Sequence, residues 1–121
     1  MSDRMIIVCS AGREDPERAI LPFIVANTAA AVGKQTAVLC TIEAVWIGTE
    51  GGTDGIQYEG LPDLARLYKD FVELGGEVWL CGACTKPRGI GEDRVIEGSR
   101  IVGAGMIIEE VAEGAKLMSY T

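Results

Sequence analysis

Three five-residue apolar runs constrain this chain more than any other feature it carries. Met5 to Cys9 (Met-Ile-Ile-Val-Cys), Thr36 to Cys40 (Thr-Ala-Val-Leu-Cys) and Glu77 to Cys81 (Glu-Val-Trp-Leu-Cys) are short, and each ends in cysteine. Apolarity that is continuous rather than alternating marks a strand buried on both faces, as in a parallel sheet. After the first run, Asp15-Pro16-Glu17-Arg18 reads as a helix start. Asp15 is a good N-cap, Pro16 suits the first helical position, and Glu17 favours the positive end of the dipole. That helix is expected to run to about Val32 and stop at Gly33, with Pro22 bending or loosening it. It is apolar around most of its circumference, which calls for contacts on more than one side.

Thr41 to Ile47 reads as a loop or short helix, and Gly48 to Gly60 as a glycine-rich excursion. From Pro62 to Leu74, the residues Leu64, Leu67, Tyr68, Phe71 and Val72 share one helical face, and Gly75-Gly76 ends the helix. Thr85 to Gly91 reads as turns and Glu92 to Ser99 as a polar stretch. Ile101 to Glu113 reads as a last helix, and Lys116 to Tyr120 as a final short strand. Alternating strands and helices predict a single α/β domain over residues 1–121. It should be a three-layer α/β/α sandwich, resembling the flavodoxin-like class, around a mainly parallel sheet of about five strands. Right-handed crossovers gather the carboxyl ends of the strands on one edge, where open α/β sheets bind ligands.

With 121 residues, 48% of them hydrophobic, the chain can build one core without disulfides or a structural metal. The apolar run at Met5 is shorter than a signal-peptide core, and no stretch is long enough to span a membrane. A soluble, cytoplasmic protein is expected. The formal charge of −7, from 18 acidic and 11 basic residues, argues against a nucleic-acid partner, because Lys and Arg are scattered singly. Histidine is absent. This removes Ser-His-Asp and Cys-His nucleophile pairs and two-histidine metal sites, so catalysis would fall to Cys, Asp/Glu, Lys/Arg, Tyr or backbone groups.

Four cysteines remain as the chemistry-bearing residues. Cys81 closes a strand at the ligand-binding edge and Cys84 follows three residues later. Only the thiolate is a good nucleophile, and three features would favour it here: the amides of the turn, a following helix start, and the charges of Lys86 and Arg88. Cys9 and Cys40 end strands too, but as termini of apolar runs they read as core residues by about three to one. A four-cysteine zinc site is not expected, because only one C-x-x-C knuckle is present. No metal and no cofactor is expected. Gly51-Gly52 and Gly55 do not form a G-x-G-x-x-G after a strand, and Gly12-Arg13 lacks that fingerprint as well. Trp46 and Trp79 read as packing residues.

Several segments together resemble the DsrE/DsrF-like family, in its branch of predicted peroxiredoxins. They are Asp15-Pro16-Glu17-Arg18-Ala19, Glu43-Ala44-Val45, Cys81-x-x-Cys84-x-x-x-Arg88-Gly89-Ile90 and Leu117-Met118-Ser119-Tyr120. The resemblance covers nearly the full length. It implies a five-stranded parallel α/β/α fold and assembly into a homo-oligomer, trimer or hexamer. It also implies sulfur relay, in which a cysteine accepts a persulfide sulfur from a donor protein and hands it on to an acceptor protein, neither of which the sequence names. By position the accepting cysteine is Cys81, Arg88 matches the family's arginine, and Glu43 stands where many relatives carry aspartate. Gly89 follows the arginine as a supporting residue. Cys84 marks the less characterised branch, and the Thr-x-x-Cys peroxide motif of true peroxiredoxins is missing. Two other readings stay open: a dithiol redox protein or sensor using Cys81 and Cys84, and a non-catalytic oligomeric interaction module with inert cysteines.

Overall fold

A computed structural model describes residues 2–120. The three apolar runs are strands β1 (Met5–Cys9), β2 (Thr36–Cys40) and β3 (Glu77–Cys81), and β4 (Ser99–Val102) and β5 (Lys116–Ser119) complete the sheet. Every pairing is parallel, and the strand order is β4-β3-β2-β1-β5. Helices α1 (Pro16–Ala31), α2 (Leu64–Glu73), α3 (Gly82–Thr85) and α4 (Ala104–Ala112) lie in the connections.

Helix α1 begins as its sequence dictates. The Asp15 carboxylate accepts from the Arg18 amide, with proline in the first turn. The helix continues through Pro22, which is buried. Thr41 to Gly48 is largely a 3-10 helix (Ile42–Gly48). Within α2, the buried residues are Leu64, Leu67, Tyr68 and Phe71, the face that the periodicity picked out.

The sheet divides the core in two because alternate strand residues face opposite sides. Ile7, Cys9, Val38, Cys40, Val78 and Leu80 pack with Ile20, Phe23, Leu64 and Phe71 of α1 and α2. Ile6, Ala37, Leu39, Trp79 and Val102 face the other way, and there Met106 and Ile107 of α4 cover them. Handedness accounts for this split. The steps β1 to β2, β2 to β3 and β3 to β4 all move in one direction along the sheet, so right-handed crossovers put their connections on one face. Only β4 to β5 runs back, past β1, and it carries α4 to the opposite face.

One expectation is corrected. The helix predicted to begin at Ile101 begins at Ala104, because Ile101 and Val102 belong to β4. Gly103 separates the two elements in extended conformation, as the cap of α4. The strand lacks an unbroken apolar run because it lies on the sheet edge. Arg100 in its middle is exposed and places its guanidinium over the Trp79 ring, 5.6 Å from the centroid.

Candidate functional site

Cys81 is both the last residue of β3 and the N-cap of α3, with φ −61° and ψ 120°. Two buried anchors fold the following segment into a tight double turn. The Thr85 hydroxyl donates to the Gly82 carbonyl at 3.1 Å, and the Ile90 amide donates to the Thr85 carbonyl at 3.1 Å. Between these anchors, Lys86–Arg88 form a 3-10 turn, which Gly89 closes in the left-handed region at φ 68°. Cys81 and Cys84 therefore stand three residues apart across one helical turn, and both are partly exposed. Cys84 leans on the core that α1 and α2 cover. Cys81 alternates with Leu80 and so faces the α4 side, beside Val102.

Arg88 and Glu43 meet here, 45 residues apart in sequence. The Arg88 Nε donates to Glu43 Oε2 at 2.7 Å, and a terminal guanidinium nitrogen donates to the Cys84 carbonyl at 3.0 Å. Arg88 thus ties the cysteine turn to the 3-10 helix after β2, and Glu43 balances its charge.

Sequence reasoning missed the devices that aim Glu43. Ile42, just before it, has φ 54°, the one positive φ at a non-glycine among the described residues. A β-branched residue there is strained. Gly12 packs against the Glu43 backbone so closely that a Cβ would lie 2.8 Å from the Glu43 carbonyl oxygen. Gly12 was visible in the sequence only as a failed nucleotide fingerprint. Its close approach is a tertiary fact with no local signal.

Cys9 and Cys40 are paired in register and fully buried, on the face that Cys81 does not share. The Cys9 thiol donates to the Ala11 carbonyl at 3.5 Å. Its hydrogen bond with Cys40, together with burial, pushes the Cys40 thiol well above its ordinary value. These two are core residues. Among the described residues, no three His, Cys, Asp or Glu side chains gather as metal ligands would. A depression of about 800 Å³ lies at the opposite edge, among turn residues such as Gly33, Gly75 and Gly114. It is remote from every thiol.

A family model for DsrE/DsrF-like proteins matches residues 3–120. The chain belongs to the DsrE/DsrF-like family. An uncharacterised protein of Methanopyrus kandleri is 26% identical over 118 residues, spanning 98% of this chain and 94% of its own. One from Methanocaldococcus jannaschii is 24% identical over 102 residues, which is 84% of this chain but only 37% of that longer protein. The YchN protein of E. coli shares the fold, with a TM-score of 0.77, 17% identity, and 98% and 99% of the two chains covered. A protein of unknown function from Methanobacterium thermoautotrophicum gives 0.69 at 20% identity, covering 96% and 97%. The five-stranded parallel α/β architecture is thus common to this family member and its structural neighbours. Among the described residues no helix is long and apolar enough to cross a membrane.

Proposed function

We propose that this DsrE/DsrF-like protein carries sulfur as a persulfide on Cys81. The supporting observation is accessibility: Cys81 and Cys84 reach solvent at the carboxyl edge of the sheet, while Cys9 and Cys40 are sealed in the core. The Cys81 thiolate attacks the outer sulfur of a donor persulfide; that S–S bond breaks and the donor leaves as a thiolate. An acceptor thiolate then attacks the outer sulfur on Cys81 and regenerates the Cys81 thiolate. Alternatively, Cys84 attacks the inner sulfur, forming an 81–84 disulfide and expelling sulfide. Arg88 and Glu43 act as positioning residues, because their contacts hold the turn that presents both thiols.

Mass spectrometry after incubation with a low-molecular-weight persulfide is expected to show one added sulfur atom on Cys81. Cys84→Ser should keep the adduct and lose sulfide release. No uptake, or uptake that survives Cys81→Ser, would overturn the reading. The same i, i+3 spacing favours a second reading, dithiol redox exchange without sulfur carriage. That reading predicts an 81–84 disulfide in a glutathione titration and no persulfide adduct. The proposed carrier is a homo-oligomer, with the exposed apolar residues of α4 at its interface.

A further inference from the structure

The glycine-rich segment has no part in the thiol chemistry, yet it is tightly built. Thr49 bridges to Val95, the Glu50 amide donates to the Arg94 carbonyl at 3.2 Å, and the Ile96 amide donates to the Gly48 carbonyl at 2.9 Å. The Thr49 hydroxyl donates to the Trp46 carbonyl at 2.7 Å. Gly52 packs so tightly on Trp46 that a Cβ would fall 1.7 Å from that same carbonyl oxygen. From the β1–α1 loop, the Arg13 guanidinium donates to the carbonyls of Asp54, Gly51 and Gly52. Residues 48–54, the first half of the stretch that reads as a glycine-rich excursion, are wound onto the carboxyl edge and pinned from both sides.

What they enclose is a pocket of about 320 Å³, walled by Arg13, Glu43, Trp46, Glu50 and Arg94 together with loop backbone. That size suits a small molecule. Arg94 lies over the Trp46 ring, 5.7 Å from the centroid, and among the described residues it has no carboxylate partner. Arg13 is held by carbonyls, which leave its charge uncancelled. Of the two acids in the wall, Glu43 is already neutralised by Arg88. Two guanidiniums thus face one remaining carboxylate, in a chain whose net charge is −7.

We propose that this pocket binds a small organic anion, a carboxylate or a phosphate monoester on a flat body. Arg13 and Arg94 take the oxyanion, for which the planar guanidinium fork is matched, and Trp46 takes the body. The pocket lies where open α/β sheets bind ligands, and Glu43 makes it share a wall with the cysteine turn.

Fluorescence separates the two tryptophans, since Trp79 is buried on the other side of the sheet. The full chain is titrated with phenyl phosphate, benzoate and inorganic phosphate. A saturable signal is expected with at least one organic anion, and it should vanish in Trp46→Phe. Arg94→Ala should raise its Kd about tenfold, the loss expected for one charge-assisted hydrogen bond, with Arg94→Lys between. Preference for phenyl phosphate over benzoate would assign a phosphate ligand, and the reverse a carboxylate. Equal binding of inorganic phosphate would overturn the role given to Trp46. No saturation up to about 10 mM, or an Arg94→Ala variant that binds like wild type, would overturn the site. The readout involves no sulfur transfer, so failure here leaves the persulfide reading standing, and the reverse holds.

Discussion

Glu77 shows how much one side chain at the start of a strand can organise. Its carboxylate accepts from the Trp79 indole at 3.0 Å, and it pairs with Arg4 at 3.4 Å and Arg100 at 3.2 Å. Those two guanidiniums lie over the Trp79 ring, 5.1 and 5.6 Å from its centroid. A fully buried tryptophan is thus roofed by cations that an acid on its own strand holds in place. Burial works against ionisation of Glu77, but the indole, Arg4 and Arg100 together outweigh it and hold the carboxyl below its ordinary value of 4.5. A depressed folded-state pKa contributes stability above the unfolded value, and that stability is lost as the pH falls through the folded one. Glu77→Gln should therefore cost about 1 kcal/mol at pH 7, the upper range for a partly exposed pair. The gap from wild type should narrow as the pH drops below about 4. Urea unfolding at pH 7 and pH 3 checks this, and an equal gap at both would refute it.

At the scale of elements, Tyr68 locks α2 to the entry of β4. Its hydroxyl donates to the Glu97 carbonyl at 2.7 Å and lies 2.5 Å from Ser99 Oγ. Burial raises its pKa to about 12. Tyr68→Phe is expected to cost about 1 kcal/mol in urea unfolding, because it strands a carbonyl and a hydroxyl. Combining it with Ser99→Ala should cost less than the sum, because the two share one bond. Full additivity would show that they act separately. This junction is also where the sequence carries no pattern for its strand. β1, β2 and β3 were legible because strands buried on both faces need unbroken apolar runs, and α2 because a one-sided helix needs periodicity. β4 has a single covering neighbour and carries Arg100, so its four residues held no such pattern. The candidate site divides in the same way. Cys81, Cys84 and Arg88 were legible from local spacing. The strained Ile42, and the Gly12 contact with the Glu43 carbonyl, exist only once β1 and β2 lie side by side.

At the scale of the whole molecule, three connections cross one face of the sheet and a single nine-residue helix crosses the other. Helix α4 cannot cover five strands, and no residue in it is buried. Ile108 is 68% exposed, Val111 is exposed, and on β5 Leu117 is 55% exposed while facing the same side by its pairing with Ile6. These exposed apolar residues on a thinly covered face offer the proposed homo-oligomer a surface to bury. Wild-type protein should then scatter light as a multiple of 12.9 kDa. Ile108→Lys should shift it toward the monomer, because a desolvated charge at an apolar interface is strongly unfavourable. Its circular dichroism should stay unchanged, since the side chain touches solvent in the isolated chain. A wild-type monomer would remove the self-association proposal. An Ile108→Lys variant of unchanged mass would move the interface off α4.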